Sequence, residues 1–239
     1  MKKRRIILKL SRESLAGKLK VGIDPLKVKE IAQEIEKLYR QGDIELSIVV
    51  GAGNIWRGRD AELIGMDRSS ADYMGMLATI LNALALQNAL EALGLETRAM
   101  TSIQIPAVAE PYIRRKAISH LEKGRIVIFG GGNGIPFFST DSTAALRGAE
   151  LGADLILMAK NGVDGVYSDD PNIDKNAVRY EKLTHAQILN DHLNVMDMTA
   201  ATLCSENNID ILVFDMNVPG NIARAVNDFS IGTLITNKI

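Results

Sequence analysis

Cysteine and histidine are scarce in this sequence, and their scarcity argues against two kinds of protein. One cysteine among 239 residues, Cys204, rules out a disulfide within the chain. Because Cys204 lies in a helical pattern, we interpret it as a small core residue rather than a nucleophile. The three histidines, His120, His185 and His192, are scattered and show no metal-ligand spacing. The sequence therefore indicates neither a disulfide scaffold nor a metal centre.

An excess of charge of one sign and long hydrophobic runs are also lacking. The 28 Lys and Arg residues nearly balance the 29 Asp and Glu residues, which argues against a broad electrostatic surface for nucleic acid. No apolar run approaches the length of a membrane span. The basic start MKKRR is followed by IILKL, which is too short for the core of a signal peptide. We therefore expect a cytoplasmic protein that binds neither nucleic acid nor membrane.

Short apolar segments alternate with helical patterns along the whole chain. Strands are predicted at Arg5–Leu10, Glu45–Val50 and Thr97–Thr101, from Ile126, and at Leu155–Ala159, Ile211–Phe214 and Thr233–Thr236. These segments are too apolar to have a face in solvent, which is typical of a parallel sheet covered by helices on both sides. No linker or change of composition divides the chain. The sequence therefore predicts an α/β fold, with a single three-layer αβα sandwich domain over residues 1–239 and a mainly parallel central sheet.

Two predicted helices have features that bear on function. Asp24 and Pro25 start the first helix, with Asp24 as its cap. A longer helix, rich in Ala, Leu and Met, follows a polar turn near residues 65–70 and runs to about Leu93. Because it is apolar on many faces, we expect it to pack against the sheet and to suit an interface with another subunit. Asp72, predicted in its first turn, is either a partner of the helix dipole or an acceptor for a ligand hydroxyl.

Two of the predicted strands run directly into glycine-rich loops. One loop is Gly51–Asn54, and the other begins at Gly130 and ends at a helix cap formed by Ser139, Thr140 and Asp141. Glycines let the backbone approach a ligand closely, and a first helical turn offers unpaired N–H groups and a positive dipole end to an anion. Either loop alone would also suit an ordinary turn.

A lysine lies close to where these loops are expected to meet. Lys9 and Ser11 stand at the carboxyl end of the first strand, and the carboxyl ends of parallel strands collect at one edge of a sheet. Two anion-binding loops and Lys9 therefore predict a site for two phosphate-bearing ligands. The G-x-x-x-x-G-K-[ST], G-x-G-x-x-G and G-x-S-x-G motifs are absent, which argues against P-loop enzymes, dinucleotide-binding proteins and serine hydrolases.

Seven motifs carry a resemblance that extends from one end of the chain to the other. They are IILKLS at 6–11, VVGAGNIWRG at 49–58, ADYMGMLAT at 71–79, PFFSTD at 136–141, VDGVYSDDP at 163–171, VMD at 195–197 and GTLIT at 232–236. With these motifs in this order and spacing, the chain resembles the bacterial uridylate (UMP) kinases of the amino acid kinase superfamily. The MGMLAT helix, together with the absence of an appended regulatory domain, favours this branch over glutamate 5-kinases, acetylglutamate kinases and aspartokinases.

The resemblance implies an activity and its setting. A protein of this family transfers the γ-phosphoryl group of ATP, bound with Mg²⁺, to UMP and yields UDP and ADP for pyrimidine nucleotide biosynthesis. UMP would occupy the side of the domain formed by roughly residues 1–150, and ATP the side formed by roughly residues 151–239. The family also implies a homohexamer that is activated by GTP and inhibited by UTP.

The resemblance also assigns roles to the residues that match the family motifs. Lys9 and Asp141 would form the catalytic centre, in which Asp141 orients Lys9. The ATP contacts would be Lys9, Leu10, Ser11, Arg12, Gly53, Arg57, Asn161, Tyr167 and Asp170. The UMP contacts would be Ala52, Asp72, Asn133, Gly134, Ile135, Pro136, Phe137, Phe138, Ser139 and Thr140. No residue is expected to bind a metal directly, and Asp197 in the VMD motif is interpreted as structural.

Three stretches of the sequence depart from the family pattern. Arg12 stands where a glycine usually follows the KLS motif, and it brings a bulky cation close to the phosphates. The first glycine triplet reads Gly-Ala-Gly at 51–53. In the central loop, the usual Thr-Gly-Asn-Pro is replaced by Asn133-Gly134-Ile135-Pro136. Because Ile135 has no polar side chain, any hydrogen bond from that position must come from the backbone.

Two other functions fit parts of the sequence. The closest alternative is a kinase of the same superfamily that phosphorylates a carboxylate or a carbamate. The other alternative is a nucleotide-binding regulator without turnover, which Arg12 and Ile135 would suit. A kinase is favoured over such a regulator by the presence of Lys9, Arg57, Asp72 and Asp141.

Overall fold

The computed structural model describes residues 3–11, 13–58, 61, 64–169, 173, 176–191, 193 and 195–238. Within these residues, nine strands form one central sheet. The strands are β1 (Arg4–Leu10), β2 (Ile44–Val50), β3 (Thr97–Thr101), β4 (Glu110–Pro111), β5 (Ile126–Gly130), β6 (Leu155–Lys160), β7 (Val166–Tyr167), β8 (Arg179–Tyr180), β9 (Lys182–Leu183), β10 (Asp210–Asp215) and β11 (Gly232–Ile235). The helices are α1 (Pro25–Arg40), α2 (Arg68–Glu91), α3 (Arg114–Glu122), α4 (Thr140–Leu151), α5 (His185–Asn190), α6 (Met198–Glu206) and α7 (Asn221–Arg224). β7 and β8 form a separate antiparallel pair.

β1 lies at the centre of the sheet. The strand order is β4-β3-β5-β2-β1-β6-β10-β11-β9, and β1 pairs in parallel with β2 on one side and with β6 on the other. The other neighbours are also parallel, except β10 and β11, which are antiparallel. This topology confirms the predicted α/β fold with a mainly parallel sheet. The chain crosses from one side of β1 to the other between β5 and β6, and open α/β sheets bind ligands at the carboxyl ends of the strands at such a switch point.

Helices cover both faces of the sheet and give the molecule three layers. β1 alternates between two cores, with Ile6, Leu8 and Leu10 in one and Ile7 in the other. The first core also contains residues of α1, α2 and α7, and the second contains residues of α3, α4, α5 and α6. The predicted αβα layering is therefore confirmed. By the same alternation, Lys9 points to the face that α4 covers.

The predicted start of α1 is confirmed, whereas that of α2 needs a correction. Asp24 caps α1 by accepting hydrogen bonds from the N–H groups of the second and third helical residues, after Pro25 at the first position. α2 begins at Arg68, with Asp67 as its cap, so Asp72 is the fifth helical residue and lies in the second turn. The placement of Asp72 in the first turn is wrong by one residue. Because the effect of the helix dipole falls off within the first turn, the correction weakens the interpretation of Asp72 as a dipole partner.

The short strands were not predicted from the sequence. β4, β8 and β9 have two residues each, which is too short for an alternating pattern to be recognised. β6 continues one residue beyond the predicted end at Ala159 and includes Lys160. That additional residue belongs to the candidate site described below.

α2 buries two polar side chains among mostly apolar ones, and it exposes several large apolar side chains on its other face. It has 24 residues and a mean hydropathy of 1.2 over an 18-residue window, so by length and composition alone it could cross a membrane. In the fold 44% of that window is buried, and its buried residues include Thr79 and Asn82, whose side chains donate hydrogen bonds to backbone carbonyls. The other face exposes Tyr73, Leu77 and Leu81. The prediction that this helix packs on the sheet is confirmed, and a role in subunit contact stays a prediction.

Cys204 has the role that its sequence context predicts. Its side chain is buried in α6 within the second core. Burial raises the pKa of the thiol to about 12, so the thiol is protonated at neutral pH. Cys204 is therefore a core residue and not a reactive nucleophile.

Candidate active site

A large cavity lies where the loops after β2 and β5 meet the first half of α2. Its volume is about 700 Å³. Ten of the predicted contact residues line it, namely Ala52, Gly53, Arg57, Asp72, Asn133, Ile135, Phe137, Phe138, Ser139 and Thr140. The structure therefore brings together all but two of the predicted UMP contacts, Gly134 and Pro136, with two of the predicted ATP contacts.

The loop after β2 is held from beneath by a pair of buried asparagines. Asn82 of α2 donates to the carbonyl of Gly51 (2.7 Å) and to Oδ1 of Asn54 (2.7 Å). Asn54 in turn donates to Oδ1 of Asn82 (3.0 Å) and to the carbonyl of Gly22 (2.8 Å). Each amide thus uses both of its N–H donors, so neither side chain leaves a donor unpaired. The pair fixes the first glycine-rich loop to α2 and to the segment after β1.

Arg57 stands at the mouth of the cavity. Its guanidinium lies 2.7 Å from Glu13 Oε1, and its Nε donates to the carbonyl of Gly53 (3.2 Å). The side chains of Arg57 and Glu13 are 35% and 47% exposed, so this ion pair is open to solvent and easily exchanged for an anionic ligand. Glu13 was not predicted as a site residue.

The central loop after β5 adopts a backbone that requires glycine at several positions. Gly131, Gly132 and Gly134 have φ values of 78°, 54° and 81°. A Cβ atom on Gly134 would lie 3.1 Å from Cβ of Ser102, so the loop also packs too closely for a side chain there. The N–H of Gly131 donates to Oγ1 of Thr79 in α2 (2.8 Å). These contacts define where the loop presents its backbone to the cavity.

Asp72 supports the central loop directly. Its Oδ2 accepts a hydrogen bond from the N–H of Phe137 (2.8 Å), and both carboxylate oxygens lie 3.0 Å from Nε of Arg68. Phe137 has a φ of 71°, a conformation that a residue with a side chain adopts only at a cost. The guanidinium of Arg68 also lies 5.9 Å from the centre of the Phe137 ring. Asp72 and Arg68 together therefore stabilise the strained turn that faces the cavity.

A buried ion pair connects the centre of the sheet to the start of α4. Nζ of Lys9 lies 2.6 Å from Oδ1 of Asp141, and the two side chains are 4% and 14% exposed. Asp141 lies in the first turn of α4, where the helix dipole favours a carboxylate. A buried lysine needs such a partner, because an unpaired ammonium would be strongly destabilised by its loss of water. The predicted pairing of Lys9 with Asp141 is present in the structure.

Lys160 is a second cation at this point, and it was missed in the sequence. Its Nζ lies 4.0 Å from Oδ2 of Asp141 and donates to the carbonyl of Val195 (2.6 Å). It is the last residue of β6, as Lys9 is the last but one of the neighbouring β1. Lys9 was selected from the sequence because it lies at the carboxyl end of a predicted strand. The same criterion would have selected Lys160. Two lysines around one aspartate leave a net positive charge, which suits a phosphate.

Asp197 joins the start of α6 to the start of α4. It caps α6 by accepting from the N–H of Ala200 (2.8 Å). It also accepts hydrogen bonds from the hydroxyls of Ser139 and Ser142. Ser139 Oγ meanwhile accepts from the N–H groups of Asp141 and Ser142 and so caps α4. These contacts support the interpretation of Asp197 as a structural residue, although it also borders the large cavity.

The remaining predicted ATP contacts that the structure describes do not line the large cavity. Asn161, directly after β6, borders a second cavity of about 420 Å³ and accepts from Nδ2 of Asn217 (2.5 Å). The hydroxyl of Tyr167 donates to Asp164 (2.7 Å), and this hydrogen bond raises the pKa of the phenol. Leu10 is buried in the core, so its side chain contacts no ligand. Ser11 follows β1, and its N–H donates to the carbonyl of Ala159 (3.1 Å).

Two predicted ATP contacts, Arg12 and Asp170, lie outside the described residues.

The fold and this arrangement of loops match a known family. A model of the amino acid kinase family matches residues 4–215. The chain belongs to this family.

Solved structures narrow the similarity to one branch. The UMP kinase from Bacillus anthracis is 42% identical with a TM-score of 0.95, covering 99% of this chain and 97% of that chain. The UMP kinase from Ureaplasma parvum is also 42% identical, with a TM-score of 0.94 and coverage of 99% and 100%. The uridylate kinase from Archaeoglobus fulgidus is 30% identical with a TM-score of 0.74, covering 97% and 99%. The resemblance to UMP kinases that the seven motifs predict is therefore confirmed.

The role of Asp197 predicts a loss of stability when it is replaced. Asp197→Ala removes a helix cap and the acceptor of two serine hydroxyls, so the free energy of unfolding should fall by about 1–3 kcal/mol. Urea denaturation followed by circular dichroism measures this change. Glu206→Ala is the matched control, since Glu206 is exposed at the end of the same helix. If both variants are as stable as the parent protein, Asp197 does not join the two helices energetically.

Proposed function

We propose that this protein is a UMP kinase, which transfers the γ-phosphoryl group of ATP to UMP and releases UDP and ADP. The observation that carries the proposal is the buried Lys9–Asp141 pair, set between two glycine-rich loops at the switch point of the sheet. The proposal is further supported by 42% identity over nearly full length to two UMP kinases.

The large cavity is the proposed acceptor site. It combines apolar side chains of the central loop, such as Phe137 and Phe138, with the carboxylate of Asp72 and the guanidinium of Arg57. Apolar side chains suit a pyrimidine ring, a carboxylate can accept from ribose hydroxyls, and a guanidinium suits a phosphate. The acceptor UMP therefore belongs on the side formed by roughly residues 1–150.

ATP is proposed to bind at the carboxyl ends of β1 and β6. Lys9 and Lys160 lie there around Asp141, and Asn161 continues the site towards the second cavity. This places the nucleotide end of ATP on the side formed by roughly residues 151–239. Mg²⁺ would enter with ATP as part of the substrate and would reduce the negative charge of its phosphates.

The chemistry requires no general base from the protein. The phosphate of UMP has a second pKa of about 6, so at neutral pH it is largely dianionic and already nucleophilic. Catalysis can then depend on holding donor and acceptor phosphates in line and on neutralising the charge that is transferred. Lys9 and Lys160 provide cations at that point, and Asp141 fixes the position of Lys9. The loop N–H groups would orient the phosphates from either side.

The family setting adds further proposals. We expect the protein to act in the cytoplasm, in pyrimidine nucleotide biosynthesis, as a homohexamer with activation by GTP and inhibition by UTP. The apolar face of α2 formed by Tyr73, Leu77 and Leu81 supports assembly, because large apolar side chains that are exposed in one chain are typical of subunit contacts.

The proposed activity predicts a specific pattern of acceptors. ADP release from MgATP should be fast with UMP, slower with CMP and dUMP, and absent with glutamate and carbamate. A coupled assay of ADP release, with identification of the phosphorylated product, measures this pattern. Turnover of glutamate or carbamate in preference to UMP would assign the protein to another branch of the family. Tight binding of UMP without ADP release would make it a regulator.

The proposed role of Lys9 predicts a large loss of rate with little loss of UMP affinity. Lys9→Ala removes a preorganised cation from the transferring phosphoryl group and should lower kcat by about 10²–10³. Steady-state kinetics and UMP titration by calorimetry separate the two effects. Lys29→Ala, at an exposed position on α1, is the control and should retain full activity. A kcat close to that of the parent protein would exclude Lys9 from catalysis.

Because Ile135 stands where the family has an asparagine, we expect this protein to select UMP over CMP less strongly than its relatives do. Ile135 borders the large cavity and is exposed, so a polar side chain there would reach a bound nucleotide. Ile135→Asn restores the family residue and should raise the ratio of kcat/KM for UMP over CMP by up to about tenfold, the value of one hydrogen bond. Ile173→Asn, at an exposed position away from this cavity, is the control. An unchanged ratio would mean that position 135 takes no part in base selection.

A further inference from the structure

Arg147 is a buried arginine that none of the roles above uses. It lies in α4, the helix that follows the central loop, and it is 4% exposed. Arginine is almost never buried unless its charge is paired and its donors are used. Its contacts therefore show what the position does.

One side of the guanidinium is fixed by a carboxylate and an aromatic ring. NH1 of Arg147 lies 2.5 Å from Oε2 of Glu150, and the guanidinium lies 3.7 Å from the centre of the Tyr112 ring. The hydroxyl of Tyr112 donates to the same Oε2 of Glu150 (2.6 Å). Burial and this hydrogen bond raise the pKa of Tyr112, so the phenol keeps its proton and remains a donor. The plane of the guanidinium is therefore held in one orientation.

The other side of the guanidinium reaches the central loop through one hydroxyl. NH2 of Arg147 donates to Oγ of Ser102 (2.8 Å), and Oγ of Ser102 donates to the carbonyl of Gly132 (2.8 Å). A guanidinium can only donate, so the single proton of the serine hydroxyl is directed to Gly132. The two hydrogen bonds therefore run in one direction, from Arg147 through Ser102 to the carbonyl of Gly132. We call this path the relay.

The central loop also packs closely against Ser102. A Cβ atom on Gly131 would lie 3.1 Å from the backbone N of Ser102, and one on Gly134 would lie 3.1 Å from its Cβ. A displacement of Ser102 would therefore move the loop, since protein interiors transmit small shifts between packed atoms. The same loop presents Asn133, Ile135 and Phe137 to the large cavity.

We propose that Arg147 is a positioning residue for the acceptor nucleotide, which acts through Ser102 on the central loop and contacts no ligand itself. The proposal rests on the proposed function, because it assigns the large cavity to UMP. It differs from a purely structural role in its effect on ligands. A structural arginine would change stability alone, whereas this relay changes affinity for the acceptor and leaves affinity for ATP in place.

The test compares two variants that interrupt the relay at different points. Arg147→Met removes the guanidinium but fills its volume, and Ser102→Ala removes the hydroxyl but keeps the guanidinium and its ion pair with Glu150. Each should raise the KM for UMP about tenfold, while the KM for ATP stays within about twofold. Ser102→Ala removes the donor to the Gly132 carbonyl, and Arg147→Met removes the group that directs the serine hydroxyl towards that carbonyl. Arg115→Met, at an exposed position on α3, is the control and should change neither constant.

The double variant tests whether both residues act through one path. If they do, Ser102→Ala combined with Arg147→Met should raise the KM for UMP no further than the larger single change, although its thermal stability falls further. An unchanged KM for UMP in folded Ser102→Ala would overturn the proposal, and so would equal rises in both KM values.

The same experiment distinguishes a failure of the proposed function from a failure of the relay. If the unaltered protein releases no ADP with UMP but turns over another acceptor, the proposed function fails. The KM for that acceptor then tests the relay in the same three variants. If the unaltered protein turns over UMP and the variants keep its KM, the relay alone fails.

Discussion

The buried ion pair between Lys9 and Asp141 is the constraint on which the rest of the site depends. A lysine in this position needs a carboxylate at contact distance, because the cost of removing an unpaired ammonium from water is a large fraction of the stability of a typical domain. Lys9 is fixed by the central strand, and Asp141 by the capped start of α4. The loop between β5 and α4 must therefore hold the start of α4 at a fixed distance from Lys9. This requirement explains why so many hydrogen bonds fix the conformation of the loop.

That support comes from both sides of the loop. Thr79 of α2 accepts the N–H of Gly131, and Asp72 of the same helix accepts the N–H of Phe137. From the opposite side, Ser102 donates to Gly132. Side chains from two separate elements thus hold a backbone with several positive φ angles, and such strained geometry is stable only when its surroundings determine it. These hydrogen bonds hold the loop in one conformation beside the proposed acceptor site, so less entropy would be lost if UMP binds there.

Much of the fold could be predicted because its signals are local. The apolar run of β1 and the Asp24 cap of α1 are complete within a few residues, and the strand ends indicated where ligands gather. The start of α2 was predicted after the polar turn near residues 65–70, whereas the helix begins at Arg68, because Asp67 and several polar neighbours compete as caps. The relay from Arg147 to Ser102 could not be predicted, since it joins residues 45 positions apart and depends on how α4 packs near the segment that follows β3. Side-chain partners of this kind become visible only in three dimensions.

We propose that Lys9, held by Asp141, contacts the phosphoryl group that is transferred. A crystal structure with UMP and a non-hydrolysable ATP analogue with Mg²⁺ tests this contact. UMP should occupy the large cavity beside the central loop, and Nζ of Lys9 should lie within about 3 Å of an oxygen of the terminal phosphate of the analogue. A complex in which Lys9 stays more than about 6 Å from every phosphate, or in which UMP binds outside that cavity, would contradict it.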